Sequence, residues 1–147
     1  MKNRGFTLVE LLVVIGILTI LTTIVLVAVN PGRQMAQARD TQRRADVNTI
    51  VSAISAYVAD PVNNGQLPVG LTILCTAGTH TVGNGVGNLD LVAILAPTYV
   101  AGVPTDPSGG TVANTGYTAC VADVTARRIT VAAPNTELAS TQISVTR

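Results

Sequence analysis

The run from Phe6 to Val29 constrains this chain more than any other feature: 24 consecutive residues in which Glu10 is the sole ionisable side chain. Coiled as a helix, the run spans about 36 Å, more than the hydrocarbon core of a bilayer. A secretory signal peptide would place its apolar region ahead of a small-residue cleavage site and has no use for an acid near its start. A plain anchor tolerates Glu10 only if the carboxylate snorkels to the interface. A helix of a soluble core would be unusually long and apolar on all sides. Glu10 therefore demands an explanation, because an ionised group at bilayer depth costs several kcal/mol. Lys2 and Arg4 precede the run and Arg33, Arg39, Arg43 and Arg44 follow it, so the count of positive charges sets no orientation.

The 147 residues leave room for one modest domain beyond this segment. That remainder is rich in Ala, Val, Thr and Gly, and a net charge of +1 gives no electrostatic footprint for nucleic acid or acidic substrates. Asp40 stands three and four residues before Arg43 and Arg44, a spacing that predicts ion pairs on a solvated helical face. The apolar positions Val47, Ile50, Val51, Ile54, Tyr57 and Val58 form one stripe of helical period, predicting a helix over 33–60 that ends at Asp60-Pro61. Asn30-Pro31-Gly32 separates it from the apolar run and predicts a kink or a melted turn, or simply the end of one helix and the start of another. Cys75 and Cys120 read either as buried thiols or, outside the cytoplasm, as one disulfide that stabilises by roughly 4 kcal/mol.

The string Arg4-Gly5-Phe6-Thr7-Leu8-Val9-Glu10-Leu11-Leu12 resembles the N-terminus of type IV pilins and of the pseudopilins of type II secretion and DNA-uptake systems. The resemblance rests on a short basic leader ending in Gly, then Phe, then Thr-Leu-hydrophobic-Glu, then about twenty apolar residues. It implies that a prepilin peptidase removes residues 1–5, cutting after Gly5 on the cytoplasmic side, and N-methylates Phe6. It implies that residues 6–29 are kept as a membrane and filament-core helix, with residues 61–147 outside as a globular head. It also gives Glu10 a role, pairing with the N-terminal amine of a neighbouring subunit and so fixing axial register. A charge pair can do this where interchangeable leucines and valines cannot.

The fold class expected is therefore α+β: a pilin-like lollipop whose long N-terminal helix packs, in its C-terminal half, on a small antiparallel sheet. Within the head, Leu71 to Cys75 reads as a strand, and Asn88 to Leu95 as a short helix capped by Asn88. Gly116 to Asp123 and Arg128 to Ala132 read as a hairpin, and Ile143 to Val145 as a last strand. Tyr99 to Pro107 resembles the Tyr-x-x-x-x-Pro-x-Asp-Pro stretch of many pilin-like proteins. No catalytic constellation can be written down: His80 reads as an exposed loop residue, and the serines and glycines match no nucleophile elbow or phosphate loop. The expectation is a protein without catalytic residues, cofactor or metal. Calcium remains the one candidate ion, through Asp106 and Asp123, since major pseudopilins hold calcium after the Asp-Pro stretch. Against it, the chain lacks the Trp-Gly and the acidic, Gly-rich C-terminal segment of that branch, and Asp106 more simply shapes a turn.

Three functions are compatible with these residues. The first is a subunit of a type IV pilus-like filament, its partners being copies of itself, the peptidase, the membrane assembly platform and, before assembly, the cytoplasmic membrane. The second is a type II secretion pseudopilin forming a short periplasmic piston. The third, of another class, is a membrane-tethered binding module.

Overall fold

Twenty-two residues, Leu8–Val29, coil into helix α1 because nothing in them interrupts the hydrogen-bond ladder. The computed structural model describes residues 5–147; of the expected leader, Lys2, Arg4 and the other residues before Gly5 lie outside the described residues. α1 is apolar on every side, with a mean hydropathy of 3.0, and none of its residues is buried. Its threonines are compatible with a lipid environment because Thr19, Thr22 and Thr23 donate their hydroxyls to the carbonyls of Ile15, Leu18 and Thr19 at 2.8–2.9 Å.

The break after α1 is a single residue. Asn30 adopts the left-handed conformation (φ 46°), which Asn enters more readily than most side chains. Helix α2 then runs Pro31–Ala59. It thus begins at Pro31, two residues earlier than the sequence suggested, because a first helical position has no partner for the N–H that proline lacks. The carbonyl and side-chain oxygens of Asn30 accept the Arg33 N–H.

The chain divides into two compact units, one up to Met35 and one over Ala36–Arg147. The second holds the core. Val47, Ile50, Val51 and Ile54 of α2 are at most 1% exposed, with Tyr57 and Val58 half-buried beside them. They face a four-stranded antiparallel sheet of order β1-β2-β3-β4, comprising β1 His80–Thr81, β2 Thr118–Asp123, β3 Arg128–Ala133 and β4 Ile143–Thr146. Alternation selects the buried face: Ala119 and Val121 of β2, and Ile129, Val131 and Ala133 of β3, join the core. A short helix α3, Leu91–Leu95, inserts Leu91 and Leu95 into the same core.

Three sequence-based expectations within the head need correction. Leu71–Cys75 is not a strand; Leu71 enters the core and only Leu74 makes an isolated bridge, to Val121. His80 is not an exposed loop residue. It opens β1, half-buried, paired with Ala119, and its Nε2 accepts the Ile73 N–H at 3.4 Å. Two residues are too few for an alternating pattern to reveal such a strand. The cap of α3 is Asp90, whose Oδ1 accepts the Ala93 N–H at 3.0 Å, while Asn88 donates Nδ2 to the Ala113 carbonyl.

Candidate functional site

Two places in the chain carry unusual polar chemistry. The first is the start of α1. Gly5 and Phe6 are exposed ahead of the helix, and a Cβ on Gly5 would meet nothing within 4 Å. Thr7 is the helix cap: its Oγ1 accepts the Glu10 N–H at 3.2 Å, while Glu10 Oε2 accepts the Thr7 N–H and hydroxyl, both at 2.8 Å. This reciprocal capping box satisfies amides that helix geometry leaves without partners. It places the Glu10 carboxylate at the helix mouth, next to the residue expected to become the new N-terminus. The Thr-x-x-Glu signature of the box stands in the sequence, yet reading Glu10 as a charge for another subunit passes over its local bonds to Thr7.

The second place is a charged cluster on α2 inside the head. Arg43 is fully buried, and its guanidinium is bonded on every side. Nε and Nη2 donate to the two oxygens of Asp106 at 2.8 and 3.1 Å, and Nη1 donates to Asp40 at 2.8 Å and to Glu137 at 2.9 Å. Nη2 also donates to Ser108 Oγ at 2.6 Å. Asp40 in turn accepts the main-chain N–H groups of Glu137, Leu138 and Ala139. Arg39 closes the cluster by pairing with Glu137 through Nε at 2.7 Å. The expected pairing of Asp40 with Arg43 is present, but the expected solvated face is not. The loops around 106–108 and 137–139 fold over Asp40 and Arg43, while Arg44 stays exposed. Ser108 and Glu137 carried no signal in the sequence, since neither lies near Arg43 along the chain.

The electrostatics follow from these contacts. Burial alone would raise Asp40, but the amides of Leu138 and Glu137 and the Arg43 guanidinium outweigh it and hold the carboxyl down at about 2. Arg39 first, then Arg43, holds Glu137 down at about 2. Burial also opposes ionisation of Asp106, yet Arg43 and the Ser108 N–H keep it below its ordinary value. Tyr117 is pushed upward by burial and by donating to Asp46 at 2.6 Å.

The calcium candidates are not brought together as a ligand set. Both oxygens of Asp106 face a guanidinium, and Asp123 is spent capping the β2–β3 turn, where it accepts the Ala126 N–H at 2.9 Å. A cation already occupies the first carboxylate, so these residues do not fit the ion. Among the described residues no group of three or more His, Cys, Asp or Glu side chains is placed to hold a metal. Cys75 and Cys120 are joined as a disulfide, tying the segment before β1 to β2.

Residues 1–26 match the family described as the prokaryotic N-terminal methylation motif. No curated protein and no solved structure is significantly similar to the chain. The match covers Gly5, Phe6 and Glu10 together with most of α1, whose length and apolarity fit a membrane-anchored precursor. The N-terminal segment of this chain is a prepilin-type methylation motif, the class III signal peptide of type IV pilins and pseudopilins.

Proposed function

We propose that this chain is the structural subunit of a type IV pilus-like filament. It is inserted in the cytoplasmic membrane with residues 61–147 outside, cleaved after Gly5, N-methylated at Phe6 and polymerised through α1. The observation that carries the reading is the match over residues 1–26, in which the Gly5-Phe6 pair sits about one helical turn from the only acid of an all-apolar helix. Apolarity on every side of α1 supports burial among neighbouring helices as readily as in lipid. In the filament, the amine created at Phe6 of one subunit would meet Glu10 of the next and displace its contacts to Thr7. The head serves as the exposed surface, held by the disulfide and by the Arg43 cluster. Engagement of Asp106 by Arg43 favours the fibre-forming subunit over the calcium-holding secretion pseudopilin. Intact mass and N-terminal sequencing of the mature protein test the proposal. A start at N-methyl-phenylalanine Phe6 supports it, and an intact Met1 or cleavage beyond Val29 overturns it.

A further inference from the structure

Strand β4 forms one end of the sheet, and its outer edge is open. Ile129 and Arg147 exchange hydrogen bonds at 2.8 and 2.9 Å, and the register continues with Val131 opposite Val145 and Ala133 opposite Ile143. In an antiparallel ladder, alternate residues bond inward, so the main-chain N–H and C=O of Ser144 and Thr146 point away from β3. No partner meets them among the described residues. Beside this edge runs a cleft of about 290 Å³, floored by β4 and walled by Arg44 and Asn48 of α2. Arg44 is its only charged side chain; no acid lines the cleft, and among the described residues Arg44 has no ion-pair partner. Beyond the other end of β4 lies a second cleft of about 190 Å³. It has apolar walls that include Ile54 and Leu67, and it is bordered by Arg127 and Arg147, again with no acid.

An open strand edge between two acid-free, arginine-bordered clefts has a specific chemical complement. We propose that the free edge of β4 is a docking site for an extended acidic segment of another protein, which adds to the sheet as a fifth strand. Main-chain bonds to Ser144 and Thr146 give affinity without regard to sequence, and the clefts select for it. A carboxylate beside Arg44 anchors one end, and an apolar side chain enters the second cleft over Val58 and Leu67. Like-charged basic segments are repelled at both ends.

The test uses full-length, isotope-labelled protein in detergent micelles and a short capped peptide of alternating Thr and Val with glutamates at its ends. The expected result is saturable shifts of the Ser144 and Thr146 amide resonances together with slowed exchange of those amides. Ser144→Pro removes an outward donor while sparing the β3–β4 bonds, and is expected to abolish binding. Arg44→Glu is expected to weaken it about tenfold, with recovery in Arg44→Lys; should Ser144→Pro disturb the β3 resonances, the Arg44 pair decides. Equal binding of a peptide with lysines in place of the glutamates, or of one N-methylated along its bonding edge, overturns the proposal. So does an absence of shifts at millimolar peptide. Protection of the same amides that rises with protein concentration in the absence of peptide also overturns it, in favour of a second copy of this chain as the occupant.

Discussion

Replacing Arg43 by methionine would leave the carboxylates of Asp40 and Asp106 buried with no cation beside them. Breaking a buried pair in this way costs about 3–5 kcal/mol, far more than removing an exposed one, so denaturant unfolding of Arg43→Met should show a loss of that size. Arg44→Met, on the exposed side of the same turn, should change stability by less than about 0.5 kcal/mol. Arg43→Lys is no conservative change either, since an ammonium cannot reproduce the two-pronged contact to Asp106. The cluster also sets an acid limit. Asp40 and Glu137 fall from ordinary values of 3.8 and 4.5 to about 2 in the folded protein, so the unfolded chain binds their protons more readily. Their contribution is complete above the unfolded values and is lost as pH falls through the window from about 4.5 to 2. Melting temperature should therefore drop steeply across that window and flatten above it, and Glu137→Gln should reduce the slope. Asp40 and Arg43 were recognisable as partners from their spacing. That they are buried was not, because burial depends on loops 63 and 97 residues distant in sequence.

Among the elements, α2 was the most legible, since a stripe of period 3.6 needs only its own residues to be seen, and the same stripe is what the core covers. Truncating it with Ile54→Ala should cost about 2–5 kcal/mol, measured by denaturant unfolding, because the side chain is fully buried. The β2–β3 hairpin was legible from alternation about a short turn, and β4 from its Ile-x-Val end. β1 was not, because it exists only through pairing with β2 across 38 residues of chain. The segment at Leu71–Cys75 erred the other way: it has strand-like composition, but its position is fixed by Leu71 in the core and by the tie from Cys75 to Cys120. Replacing both cysteines by serine should cost about 2–5 kcal/mol and should first loosen this segment, read as faster amide exchange at position 75, whose N–H donates to the Val121 carbonyl at 2.9 Å, and at Val121, whose N–H donates to the Ile73 carbonyl at 2.8 Å.

For the whole molecule, the question is whether Glu10 serves its own helix or the next subunit, and Thr7 separates the two. Thr7→Ala removes both contacts of the hydroxyl and leaves the carboxylate on the main-chain N–H of position 7, whereas Glu10→Ala removes the carboxylate and leaves the Thr7 hydroxyl accepting the N–H of position 10. If Glu10 sets register between subunits, Glu10→Ala should abolish or sharply reduce filament yield, while Thr7→Ala should assemble, losing only about 0.5–2 kcal/mol of helix stability. Equal loss in the two variants would reduce Glu10 to a cap. Membrane insertion, read by fractionation, should survive both changes, since α1 keeps its length and apolarity.

The sequence by itself determined the N-terminal segment: its membrane-length helix, the methylation motif, the place of Glu10 and the break after Val29. All of that information lies in contiguous residues and in chain chemistry that needs no partner. The tertiary structure alone decided the fate of the charges on α2 and the open edge of β4. Whether an arginine is solvated or enclosed, and whether a strand is central or terminal, depends on which distant segments cover it. The desolvation that makes Arg43 indispensable comes from loops no local pattern announces.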